Sequence, residues 1–229
     1  MTVSSGVAST TSDTELQGSS TSTTPARFNQ WYSFGAAHTV QYRVGGTTAT
    51  TAQYSADITQ RIVTPTNLGT VQFGALTIAT ESALADTELF VYDSAFNLVY
   101  LNDDDNATTE SSVNATLANG QTYYIGVGRY NSATSTINTL AGSGGVAGDF
   151  LTGSVHANSG LITSASTSTT SSSFDLLFGS TVVGNGAWTG ISDAYKVHWY
   201  TVQAVPEPGT MLALAAGLSA IAARRRRKS

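Results

Sequence analysis

From Phe28 onward the chain is cut into short runs of β-branched and aromatic residues, with Gly, Asn and Asp between them. Runs this short, made of residues that suit a pleated and half-buried surface, predict an all-β sandwich or barrel. Strands are expected at 29–34, 38–44, 70–79, 87–93, 97–101, 111–117, 122–129, 173–178 and 195–203. Side chains alternate across a strand, so Tyr123, Ile125 and Val127 should share one face. In the last strand Val197, Trp199 and Thr201 should share one face with Tyr195, and His198, Tyr200 and Val202 the other. The stretches 131–148 and 158–173 are rich in Ser, Thr and Gly and read as long loops. Residues 1–25 read as a disordered, low-complexity Ser/Thr segment.

Composition narrows the function classes. Ser and Thr together number 63 of 229 residues, and charged residues are only 11%, against about 25% in ordinary soluble domains. Scarce Glu, Lys and Arg argue against a coiled coil or helical bundle. There is no Cys, which removes disulfides, zinc thiolates, iron–sulfur clusters and cysteine nucleophiles. A net charge of −5 argues against nucleic-acid binding, which needs a basic face. That charge is unevenly spread. Residues 1–205 carry −9 and residues 206–229 carry +4, because five of the ten cations are Arg224, Arg225, Arg226, Arg227 and Lys228.

The tail 205–229 has three parts. Val205-Pro206-Glu207-Pro208 breaks a preceding strand. Met211 to Ala223 is uncharged, with Met, Leu and Ala dominant, and predicts a short C-terminal hydrophobic helix. The cations then act as a stop-transfer cluster that holds that end in the cytoplasm. Thirteen helical residues span about 20 Å against a hydrocarbon core of about 30 Å. Residues 209–223 therefore suit transient inner-membrane contact better than permanent anchoring. The rival reading is an amphipathic or core helix with a solvated basic end.

This tail resembles the PEP-CTERM sorting signal of Gram-negative bacteria. The resemblance implies an exosortase as partner, a membrane transpeptidase-like protease that cleaves near the Pro-Glu-Pro motif. It makes Pro206, Glu207 and Pro208 the sorting motif, as substrate residues and not catalytic ones. It implies an exported protein, held transiently at the inner membrane and then released to the cell surface or extracellular matrix. Met1 to Ser20 has no basic residue and no apolar run of the length a secretory leader needs, so the expectation is a leader upstream of Met1, the alternative being export by another route.

Residues 86–130 carry a second resemblance. Asp86-Thr-Glu-Leu89, Asn97 to Leu101 followed by Asn102-Asp103-Asp104-Asp105, and Gly120-Gln-Thr-Tyr123-Tyr124 are similar to the bacterial pre-peptidase C-terminal domain. It implies a jelly-roll sandwich, here over residues 26–204. Adjacent carboxylates repel unless solvated or neutralised, and oxygen-only donors suit calcium. By position in that family the ligands would be Asp86, Asn102, Asp103 and Asp105. The competing reading is a solvated hairpin loop.

Other constellations are weak. His38, His156 and His198 are isolated, so no zinc spacing exists. No Gly-x-Ser-x-Gly elbow is present, and Gly142 to Gly148 has the wrong spacing for a phosphate loop. Trp31, Tyr32, Trp188, Trp199 and Tyr200 could stack on sugar, although aromatics in sandwiches more often form core. Trp188 is the best carbohydrate candidate, because Gly184, Gly186 and Gly190 suggest a loop around it. Asn106 and Asn114 begin glycosylation-type triplets.

The leading expectation is thus an exported, non-enzymatic surface or matrix protein associated with exopolysaccharide. The alternative is a calcium-dependent carbohydrate-binding module. A third class is a hydrolase that uses Asp86 and Glu88, which share a strand face.

Overall fold

The computed structural model describes residues 4–9, 14–20, 27–34, 39–44, 56–105, 108–129, 160–164, 171–189 and 196–207. Every helix or strand among them is a strand. They are β1 (Ser4–Ser9), β2 (Thr14–Ser20), β3 (Arg27–Ser33), β4 (Thr39–Val44), β5 (Ala56–Ile62), β6 (Thr66–Gln72), β7 (Gly74–Glu81) and β8 (Thr87–Tyr92). They continue with β9 (Leu98–Asn102), β10 (Ser112–Leu117), β11 (Thr122–Arg129), β12 (Gly160–Ser164), β13 (Ser172–Phe178), β14 (Thr181–Trp188) and β15 (His198–Val205).

Two sheets form the sandwich. One is five-stranded, in the order β6-β15-β11-β8-β9, and the other is four-stranded, in the order β10-β7-β13-β14. Their inner faces meet in one apolar core. Leu89, Val91, Tyr123, Ile125, Val127, Tyr200, Val202 and Ala204 come from the first sheet. Ile78, Val113, Ala115, Leu117, Phe174, Leu176 and Trp188 come from the second. The remaining strands pair as β12-β3-β2-β5 and β1-β4.

The five-stranded sheet is buried on its other face too. Phe90, Tyr92, Val197 and Trp199 point that way and pack with Tyr32, Phe34 and Phe96. The rings contact one another closely, with Tyr92 and Phe96 stacked at 4.4 Å and Phe34 and Tyr124 at 5.1 Å. Every residue of β8 is therefore buried. A strand buried on both faces reads as a continuous apolar run, which is what Leu89-Phe90-Val91-Tyr92 is.

Several sequence expectations need correction. Residues 1–25 contain β1 and β2, because the backbone ladder stabilises a strand even where side chains are small and polar. β2 gains that ladder on both edges, from β3 and β5. The predicted strand 70–79 is two strands, parted where Gly74 takes φ 110°, a conformation few other residues adopt. β12 and the start of β13 lie within the predicted loop 158–173. β14 lies where glycines suggested a loop. The glycine there answers to packing. A Cβ on Gly186 would sit 2.4 Å from Phe174 Cε1 and 2.9 Å from His198 Cγ. Glycine in a strand marks such close approach as readily as a turn. The predicted loop 131–148 and the C-terminal apolar stretch 209–223 lie outside the described residues. Among the described residues no helix is long and apolar enough to cross a membrane.

Strand directions sort the connections onto two ends. β15 exits at one end, beside residue 73 and the turns 93–97 and 118–121. The segments 82–86 and 103–111 lie at the opposite end, with Arg129, Trp188 and the start of β15.

Candidate functional site

The exit end is built to stop a strand abruptly. β15 lies between β6 and β11, hydrogen-bonded as far as Ala204 on the β11 side and Val205 on the β6 side. Phe73 N donates to Val205 O at 3.0 Å, Gly120 N to Ala204 O at 2.7 Å, and Ala204 N to Gln121 O at 2.9 Å. Pro206 follows at once, half-buried, and it has no N–H with which to continue the ladder. Glu207 is exposed. Pro208 and the cluster Arg224, Arg225, Arg226, Arg227 and Lys228 lie outside the described residues.

The neighbouring turn 93–97 is self-contained. Asp93 Oδ1 accepts from Ala95 N and Asn97 N, both at 2.9 Å, and Asn97 Nδ2 donates to Asp93 Oδ2 at 3.0 Å. Ser94 Oγ donates to Gln121 Oε1 at 3.0 Å, which ties this turn to turn 118–121.

The opposite end is acidic. One carboxylate oxygen from each of Asp86, Asp103 and Asp104 comes within 4.8 Å of the others. Asp86 precedes β8, while Asp103 and Asp104 follow β9, so pairing of these two strands creates the cluster. Burial, reinforced by Asp104 and Asp103, pushes the Asp86 carboxyl up to about 6. Burial and Asp104 also raise Asp103 above the usual carboxylate range, and a hydrogen bond with Glu88 partly offsets this. Asp86 Oδ1 and Asp103 Oδ1 are buried without a hydrogen-bond partner.

A buried hydroxyl network holds this arrangement. Thr80, Thr87 and Ser111 are all buried. Thr80 Oγ1 lies 2.6 Å from Thr87 Oγ1 and accepts from Ser111 N at 2.9 Å. The Ser111 hydroxyl has two carbonyl acceptors in reach, Thr87 O and, at 2.7 Å, Asp103 O. These bonds join the two sheets of the sandwich and fix the backbone from which Asp103 projects.

The structure regroups the expected calcium ligands. Asp86 and Asp103 meet, but their third partner is Asp104. Asn102 is spent on the hairpin: its Oδ1 accepts from Ser112 N at 2.9 Å and its Nδ2 donates to Asp104 O at 3.1 Å. Asp105 organises the turn through its backbone, accepting from Thr108 Oγ1 at 2.8 Å. Three clustered carboxylates still form an oxygen-only donor set that fits a hard cation such as calcium. The sequence hid Asp104, because in a run of three acids only turn geometry decides which two approach Asp86.

Trp188 departs from its expected role. It ends β14 fully buried, with no face open to a sugar. Its indole N–H donates to Lys196 O at 2.8 Å. Phe174 and His198 pack at 5.0 and 5.2 Å. Arg129 Cζ lies 5.6 Å over the ring, a cation–π contact, and burial lowers that guanidinium from its ordinary range. Tyr32, Trp199 and Tyr200 are buried as well. His198 is a packing histidine whose Nε2 lies 3.1 Å from Ala187 O. The side chain of Trp31, and residues 38, 106 and 156, lie outside the description. Asn114 is exposed, and its Oδ1 accepts from Thr77 Oγ1 at 2.8 Å.

Among known families, the model of the PEP-CTERM protein-sorting motif matches residues 204–227. The match begins inside β15, takes in Pro206, Glu207 and Pro208, and ends on Arg227. Such a motif implies export with membrane-linked sorting, and an exosortase as the processing partner. No curated protein and no solved structure matches the chain.

Proposed function

We propose that this is a non-enzymatic protein of the cell surface or extracellular matrix, delivered by an exosortase that reads Pro206-Glu207-Pro208. One observation carries the reading: the sorting motif begins on the final residues of β15, and its Pro206-Glu207-Pro208 follows directly after that strand. The apolar stretch 209–223 engages the inner membrane transiently, the cations stop transfer, and cleavage frees the acidic body. The hydroxyl-rich sandwich then makes contacts in an exopolysaccharide matrix. The test is removal of residues 206–229. The variant should escape processing and fail to reach the surface, and unchanged surface delivery on fractionation would refute the reading.

A second reading rests on Asp86, Asp103 and Asp104. Calcium bound there would neutralise three crowded carboxylates and tie the entry of β8 to the end of β9. Millimolar calcium should then raise Tm. Asp86→Asn with Asp104→Asn should abolish the shift, whereas Asp105→Asn should leave it. A shift that survives the first pair removes the site.

A further inference from the structure

We infer that the exit end of the sandwich faces the lipid headgroup surface while the tail is in the membrane, with the acidic end pointing away from it. This orientation rests on the membrane-engaged tail of the proposed function. It comes from the tether. Val205 is locked into the sheet by Phe73 N, and the adjacent Ala204 by Gly120 N and Gln121 O. Only residues 206–210 separate Val205 from Met211, where the apolar stretch begins. A chain extends at most about 3.6 Å per residue, so the end of β15 lies within roughly 20 Å of the start of that stretch. The opposite end is farther away by a strand length, about 25 Å for eight residues.

Charge and surface chemistry agree with this orientation. Around the opposite end of the two sandwich sheets are Glu81, Asp86, Glu88, Asp103, Asp104, Asp105, Glu110 and Asp175, the last paired with Glu81, with Arg129 and Lys196 as the cations. Among the described residues of those two sheets and their turns, the exit end carries only Asp93 and Glu207 as charges, and Asp93 is saturated by its own turn. Anionic headgroups repel an acidic surface, so the acidic end is the unfavourable one to bring down. At the exit Phe73 is 44% exposed, and an aromatic ring is suited to the interface between headgroup and water.

The absence of cysteine makes the test clean, since one introduced thiol is the sole labelling site. Asn119→Cys and Ala95→Cys mark the exit end, and Ala83→Cys and Thr109→Cys the opposite end. All four positions are exposed. Each full-length variant carries a fluorophore and is reconstituted into phosphatidylethanolamine–phosphatidylglycerol vesicles containing a headgroup-nitroxide lipid. Strong quenching at 119 and 95 with little at 83 and 109 is expected. A long Gly/Ser insertion between Val205 and Pro206 should erase the difference. Equal quenching at both ends of a chain that co-sediments with vesicles overturns the orientation and leaves the sorting reading standing. A chain that does not co-sediment overturns both.

Discussion

The two ends of the sandwich hold their acids in opposite ways. At the exit end, Asp93 is satisfied by backbone and side-chain donors of its own turn, and the turns are short. At the other end, buried hydroxyls join the two sheets, and three carboxylates are held close together with buried oxygens that lack hydrogen-bond partners. A satisfied turn is rigid and chemically closed. A crowded acid cluster carries an electrostatic cost that a cation or a proton can relieve. The contrast separates the end from which the sorting motif leaves the sheet from an end whose carboxylates crowd one another.

Substitutions at matched positions sharpen that contrast. The largest effect is expected from Trp188→Ala at the acidic end, which removes a fully buried indole with its hydrogen bond and cation–π contact. Such truncations cost about 3–5 kcal/mol. Chemical denaturation of this variant should show it, while Phe73→Ala at the exit end should lose far less, being half-exposed. Next is Ser111→Ala, which strips buried carbonyls of their donor and should cost about 1–3 kcal/mol. Ser94→Ala removes an exposed hydrogen bond and should be close to neutral in the same assay. Equal losses in the two serine variants would erase the difference between the ends.

The smallest effect is pH-dependent. Asp86 titrates at 3.8 in the unfolded chain and near 6 in the folded one. The folded state therefore holds the proton more tightly, and stability falls as pH rises from about 4 to about 6. With a chelator present, Tm should drop across that window and level off above it. Asp86→Asn should reduce the slope and raise Tm at neutral pH. A slope unchanged in that variant would show that Asp86 is not the group responsible.

The folding class was legible because local pattern carries it. β8, β10, β11 and β13 fall within two residues of their expected bounds, and their alternation correctly placed Tyr123, Ile125 and Val127 in one core. The pairing of Val197 with Trp199, opposite Tyr200 and Val202, was likewise visible. What failed was the reading of glycine and serine as loop. Gly184 and Gly186 sit in β14 because the Tyr200, Phe174 and His198 rings lie against its backbone. That need is set by residues on other strands and leaves no local mark. β2 is a strand because two neighbours hydrogen-bond to it, not because Thr-Glu-Leu-Gln-Gly-Ser-Ser favours one.

By itself the sequence determined the β-rich body, the absence of cysteine chemistry and the three-part sorting tail. Each of these is written in contiguous residues. Only the tertiary structure decided that Asp104 joins Asp86 and Asp103 while Asn102 turns to the hairpin, that Trp188 is core, and that β15 reaches its sorting motif without slack. Those outcomes depend on which strands become neighbours, and long-range pairing brings together residues whose sequence separation says nothing about their distance.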